Sequence, residues 1–282
     1  MLSNLKAYFR PKSIPEALAL LEKNSGSILV VAGGTKLLQI QNNIVQELVD
    51  ITALGLNYIR ESSSEIRLGA TTPLQYLVDS ATAGGMLAEA ARLSDRSTMI
   101  RNVSTVGGQL ISTTPLSPLY CAFLALQAQV RIAGGSEFAL AMNIFLNKKG
   151  LEGGLLVEVI VPKTKPTTFS AIAPIQSNGQ HPLICACTRI TFMNSTCSEA
   201  KLAITGTQKV PQRLHAVETF LEGKKLNEAN VAAAADIACE MYHPISDAMA
   251  SEEYRNEVAR VVVKRTLRDC LEQFEDNLES QT

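Results

Sequence analysis

Two diglycine segments constrain this chain most: Ala32-Gly33-Gly34-Thr35-Lys36-Leu37 and Thr105-Val106-Gly107-Gly108-Gln109-Leu110. Each follows an apolar or β-branched stretch, Ile28 to Val31 in the first case and Val103 to Val106 in the second. The pattern predicts a strand ending in a turn, where glycine permits φ > 0 and leaves backbone N–H groups bare toward a ligand. Phosphate suits such a nest, and a helix N-terminus behind the turn adds positive potential. Lying about seventy residues apart, the two turns are candidates for holding the two ends of one diphosphate-bearing cofactor.

The 282 residues accommodate two modest domains or one large one. A net charge of −1 with no basic stripe argues against a nucleic-acid or anionic-membrane partner. Met1 to Lys6 lacks a signal-peptide core, and no apolar run reaches the ~18–20 residues of a membrane span. The expectation is a soluble, cytoplasmic protein. Six cysteines are scattered without a C-x-x-C pair, and the three histidines lie far apart. Cys185-Ala186-Cys187 is open to two readings, a metal or redox pair, or two core residues on one face of a strand. The alternation of side chains along a strand favours the second. Neither an iron–sulfur nor a zinc site is expected within this chain.

Ala7 to Pro11 reads as extended, and Ser13 with Glu16 forms a capping-box pattern ahead of the apolar Ala17, Leu18, Leu20 and Leu21. Strands are expected at residues 28–31, 48–51, 66–70, 128–132 and 155–161, and helices at 73–78, 86–93 and 119–126. Gly134-Gly135 reads as a hairpin turn, and Gly84-Gly85 and Gly153-Gly154 as loop glycines. The proline-bracketed Pro162-Lys163-Thr164-Lys165-Pro166 marks a boundary, giving domains at 1–165 and 166–282. Beyond it, strands at 183–192 and 200–204 precede helices at 214–221, 231–241 and 253–278. The last carries Val258, Val261, Val262, Leu267 and Leu271 on its apolar face. Strands gathered before helices predict an α+β domain.

The whole chain resembles the flavin-binding medium subunit of the xanthine dehydrogenase and carbon monoxide dehydrogenase family of molybdenum hydroxylases. Five ordered segments carry the resemblance. They are Phe9-Arg10-Pro11 with Glu16-Ala17-Leu18; Ala32 to Thr35; Leu68-Gly69-Ala70-Thr71-Thr72; Ile100 to Gly108; and Pro244-Ile245-Ser246-Asp247 with Ser251 to Arg255. The resemblance implies an α+β FAD-binding domain of the vanillyl-alcohol-oxidase (PCMH) type, followed by an α+β domain of the CO dehydrogenase flavoprotein type. The glycine spacing of a Rossmann fingerprint is indeed missing around Gly33-Gly34. By the same resemblance, FAD contact is expected at Ala32, Gly33, Gly34, Thr35, Lys36 and Leu37. It is expected equally at Thr105, Val106, Gly107, Gly108 and Gln109, with Thr71, Ser117 and Leu156 as further candidates. The implied partners are an iron–sulfur subunit and a molybdopterin-containing large subunit, with NAD or another species as final electron acceptor.

The chain departs from the family's usual pattern at four places. Lys36 stands where an acidic residue is common, Gln109 where Asn is common, and Ser117 where an Asp is common. The region from Phe169 to Arg189 lacks the family's basic stretch. Two readings stand for Lys36, a cation beside a diphosphate or a solvated lysine. No histidine or carboxylate pair has the spacing of a catalytic dyad, and His243 before Pro244 reads as a packing or capping residue. Two rival functions are a flavin-free scaffold subunit and a stand-alone flavoprotein.

Overall fold

A computed structural model describes residues 4–23, 27–37, 45–134, 138–145, 153–177 and 181–280. The chain divides into two compact units that interleave in sequence. The first comprises Met1–Ala83, Arg96–Ser112 and Ala128–Val161, and the second Gly84–Asp95, Thr113–Gln127 and Pro162–Thr282.

In the first unit, β1 (Ala7–Phe9), β2 (Ile28–Val31) and β3 (Glu47–Asp50) form a parallel sheet in the order β1-β3-β2. Helix α1 (Ile14–Lys23) covers it, burying Ala17 with Leu18, Leu20 and Leu21 against Val49, Ile51 and Leu155. The Ser13 cap forms, with Glu16 N–H donating to Ser13 Oγ at 3.4 Å. The reciprocal half of the box closes one residue early: Glu16 Oε2 accepts from the Lys12 N–H at 2.8 Å.

A second sheet has the order β4-β5-β8-β6-β7, built from Ile59–Glu61, Glu65–Gly69, Leu155–Pro162, Gln129–Ala133 and Phe138–Ala141 respectively. The antiparallel pairing of β6 with β7 makes the expected hairpin, with Gly134 at φ +109; Gly135 lies outside the described residues. Opposite β6, the β8 register slips so that Arg131 faces Glu158 while Ile132 faces Leu156. Val157 is the extra residue of this bulge, and its carbonyl accepts from the Ala70 N–H at 2.8 Å. Glu158, buried in an otherwise apolar strand, is satisfied by Tyr58 Oη (2.6 Å), Arg131 Nε (2.8 Å) and Arg67 Nη1 (3.1 Å). Short helices α2 (Leu74–Asp79), α4 (Thr98–Arg101), α5 (Val106–Ile111) and α7 (Met142–Phe145) also belong to this unit.

The second unit contains α3 (Met86–Ser94), α6 (Pro118–Ala125) and an antiparallel sheet in the order β12-β11-β10-β9. These strands span Gln212–Arg213, Thr196–Ile204, Ile184–Met193 and Thr168–Ile175. One face of β10 (Ile184, Ala186, Ile190) packs into a core with α8 (His215–Leu221), α9 (Glu228–Met241) and α10 (Glu252–Glu279). Alternation turns Cys185 and Cys187 to the other face. There they are fully buried, and the Cys121 thiol of α6 contacts the Cys185 carbonyl. Among the described residues no His, Cys, Asp and Glu group is arranged to hold a metal. The strand β9, absent from the sequence expectation, is an edge strand that contains Pro174. No described helix is long and apolar enough to cross a membrane.

Helix α10 turns most of its expected apolar face inward, with Val262 and Leu267 buried and Val258 and Leu271 packed against the same core. Val261 is exposed, whereas Arg255, Ala259, Val262, Val263, Thr266, Leu267 and Cys270 are buried. Arg255 is wholly inaccessible. Its Nη2 makes paired 2.9 Å bonds to both carboxylate oxygens of Asp247, and its Nη1 reaches the carbonyls of Ile245 and Ala250. Asp247 in turn accepts from the Met249 and Ala250 N–H groups. Burial works against ionisation of Asp247, but the bonds from Arg255 and these amides outweigh it and hold its carboxyl below the ordinary carboxylate range.

A depressed carboxylate pKa contributes stability that is complete above the unfolded value, about 4, and is lost as pH falls through the folded one. Asp247→Asn should therefore cost about 1–2 kcal/mol at neutral pH, because it strips the buried guanidinium of its counter-charge, with solvent at Asp247 screening part of the loss. Urea unfolding followed by circular dichroism, suited to a chain without Trp, checks this. The deficit should shrink steadily as pH is lowered below about 4; a deficit unchanged at low pH would contradict the assignment.

Candidate functional site

The first diglycine leaves β2 as expected. Gly34 adopts φ +71, and the Leu37 N–H donates to the Gly34 carbonyl at 3.0 Å, closing a tight turn through Thr35 and Lys36. Among the described residues, the backbone N–H groups of Gly33, Gly34, Thr35 and Lys36 have no hydrogen-bond partner. Four successive amides without a partner among the described residues are the kind of backbone that can receive an anion.

The second diglycine is different, and here the structure corrects the sequence expectation. Gly107 and Gly108 do not end a strand in a turn. They form the first turn of α5, with Thr105 as N-cap accepting from the Gly108 N–H at 3.1 Å. Neither glycine has positive φ. Their amides are not bare: Val106 N–H donates to the Thr72 carbonyl, Gly107 N–H to the Ala70 carbonyl and Gln109 N–H to the Thr105 carbonyl, at 2.8–2.9 Å. The glycines serve backbone approach instead. A Cβ on Gly107 would lie 2.8 Å from the Ala70 carbonyl oxygen.

Gly33 is tighter still, since a Cβ there would stand 1.6 Å from the Val103 carbonyl oxygen. This contact brings the two glycine segments together, and a 3.2 Å hydrogen bond between Thr35 Oγ1 and Ser104 Oγ joins them alongside it. The two segments then bound a cavity of about 320 Å3 that lies entirely within the first unit. Ala32, Gly33, Gly34, Thr35, Lys36, Leu37, Thr105, Gly107, Gly108, Gln109 and Leu156 all line it. The remaining walls come from residues the sequence did not single out: Leu29, Val30 and Val31 of β2, with Ile51, Ala70, Ser104, Ile111, Ser112 and Leu155. Residues of a strand leading into a glycine turn are the one signal that could have indicated the β2 wall.

Three expected site residues lie elsewhere. The Val106 side chain is fully buried and outside the lining. Thr71 is buried next to Ala70, and its hydroxyl has no partner among the described residues. Ser117 belongs to the second unit, where it caps α6 by accepting from the Tyr120 N–H.

The lining is apolar on its β2 and β8 sides and, among the described residues, contains no Asp, Glu, His, Cys or Tyr. Lys36 is the one charged residue among those described there. Such a cavity suits a ligand with flat apolar parts and an anionic centre.

Residues 3–164 match the family described as the FAD binding domain in molybdopterin dehydrogenase, and residues 171–270 match the CO dehydrogenase flavoprotein C-terminal domain. The chain belongs to this family. It is an FAD-binding subunit of the molybdenum hydroxylases, an oxidoreductase class resembling CO dehydrogenase. The alpha subunit of the 6-hydroxypseudooxynicotine dehydrogenase complex of Paenarthrobacter nicotinovorans is 30% identical, over 97% of each chain. The carbon monoxide dehydrogenase medium chain of Hydrogenophaga pseudoflava is 28% identical, over 92% of this chain and 95% of that one. Among solved structures, carbon monoxide dehydrogenase from Hydrogenophaga pseudoflava lacking the Mo-pyranopterin moiety aligns with a TM-score of 0.89 at 27% identity. The alignment covers 96% of this chain and 99% of that one.

The two pair-leading glycines are expected to tolerate substitution less well than Gly34. Gly33→Ala drives a methyl into a carbonyl oxygen, whereas Gly34→Ala adds only left-handed backbone strain of about 1–2 kcal/mol. Calorimetric melting of the two variants should show the larger fall for Gly33→Ala, and equal falls would contradict the packing role.

Proposed function

We propose that this chain is the electron-transfer subunit of a cytoplasmic molybdenum hydroxylase complex. It takes electrons from an iron–sulfur subunit and passes them to NAD or another acceptor, while a molybdopterin-containing large subunit oxidises the organic substrate. The observation that carries this reading is the nest of unpaired amides from Gly33 to Lys36 opening into an apolar cavity, inside a domain of the FAD-binding family. The names of the relatives, medium chains and complex subunits of dehydrogenases, support the multi-subunit setting.

Bound FAD supplies the two-electron redox chemistry. The chain's own residues bind and orient. In this proposal the N–H groups of Gly33, Gly34, Thr35 and Lys36 hold the diphosphate, a task that neutral, fixed dipoles perform without titrating. Leu155 and Leu156 of β8, together with β2, form an apolar wall for ring systems. Thr105 and Gln109 add polar groups from the second segment. The Thr105 hydroxyl oxygen already accepts from Gly108 and keeps its proton available to a ligand. The described lining residues contribute orientation and electrostatics.

The test is flavin content. Purified chain incubated with FAD and then desalted should retain visible flavin absorbance, and Gly33→Val should lose it, while iron–sulfur and molybdopterin subunits co-purify from the native host. Wild-type protein that stays colourless would instead establish the scaffold reading. Flavoprotein that purifies with no partners would establish the stand-alone one.

A further inference from the structure

Neutral amides position an anion but leave its formal charge uncompensated, so the source of compensation matters. Of the described residues lining the cavity only Lys36 is charged, and it follows directly on Gly33, Gly34 and Thr35, contributing its own N–H to the same unpaired row. Among the described residues Lys36 makes no ion pair, so no carboxylate there competes for its ammonium. The opposite case stands in the same unit, where Arg67 and Arg131 are both committed to Glu158. A flexible four-carbon stem with three donors can follow a phosphate oxygen where a rigid guanidinium would need a matched fork.

We infer that the Lys36 ammonium is the counter-charge of the cofactor's diphosphate, so that ionic strength governs how firmly this chain holds FAD. The inference rests on FAD occupying the first unit's cavity and adds to it a single residue that sets the electrostatic part of the affinity. A solvated lysine would contribute nothing to binding. A lysine in contact with the diphosphate makes a charge-assisted bond, which salt weakens as the screening length falls from about 10 Å at 0.1 M to about 3 Å at 1 M. The amides of Gly33 to Lys36 carry no formal charge, so removing the lysine should leave a weaker and much less salt-dependent site.

The test is fluorescence titration of FAD onto flavin-stripped full-length chain across a NaCl series, for wild type, Lys36→Gln and Lys36→Arg. Lys36→Gln should bind about tenfold more weakly at low salt, the range of one lost charged hydrogen bond, with a flatter dependence on NaCl. Lys36→Arg should restore both affinity and salt dependence. A Lys36→Gln protein with wild-type affinity and salt response would overturn the inference while leaving the FAD site in place. A weaker Lys36→Gln whose salt response is unchanged would overturn it too, because the lysine would then be supporting the loop without meeting the anion. If wild type itself binds no FAD at any salt concentration, both the inference and the FAD site fall.

Discussion

The contact on which the site depends is the one between Gly33 and the Val103 carbonyl. No side chain fits there, since a Cβ would sit 1.6 Å from the oxygen. Because the backbones meet so closely, Thr35 and Ser104 come within hydrogen-bond distance, and segments far apart in sequence share one wall of the cavity. The Gly107 contact with Ala70 repeats the device one layer away, seating α5 on the exit of β5 with amide bonds to Ala70 and Thr72. Nothing in this cradle relies on long side chains. It is backbone packed on backbone, which fixes geometry at little cost in side-chain entropy.

That arrangement divides the work among the four glycines differently from their sequence pattern. Gly33 and Gly107 pack, Gly34 bends, and Gly108 opens a helix over the Thr105 cap. The family resemblance and most elements were legible, because buried strands such as Ile28–Val31 and amphipathic helices such as α1 carry strong local patterns. The second glycine pair was misread for a physical reason. Val103, Thr105 and Val106 are β-branched and favour strands, and each glycine costs a helix roughly 1 kcal/mol relative to Ala. Local propensity thus points away from α5, and tertiary packing on Ala70 overrides it. The strand β9 was hidden because Pro174 interrupts its pattern, a residue tolerated only because β9 lies at the sheet edge.

In the second unit the features that escaped sequence reasoning are buried charges. Arg255 on an amphipathic helix reads as a solvent-facing residue, yet it is fully enclosed by Asp247 and backbone carbonyls. The Arg255 clamp also gives a physical meaning to the segments at 244–247 and 251–255 that carry the family resemblance: one supplies the Asp247 carboxylate and the Ile245 carbonyl, the other the cap at Ser251 and the guanidinium. Glu218 follows the same logic, enclosed by Arg213 and the Leu202 N–H. Such clamps have no periodic signature, because their partners are set by folding rather than by spacing.

Among the described residues the cavity lining carries no carboxylate, thiol or imidazole, which narrows the ways these residues can influence a bound redox group. What these residues offer is shape, the fixed dipoles of the amide row, and charge. Shape and dipoles are written into the backbone through the glycines and are difficult to vary without breaking the cradle. Charge is carried on one side chain at the rim of the nest and changes with a single substitution. Position 36 is therefore where one substitution alters the charge of the site while leaving the glycine-built backbone in place.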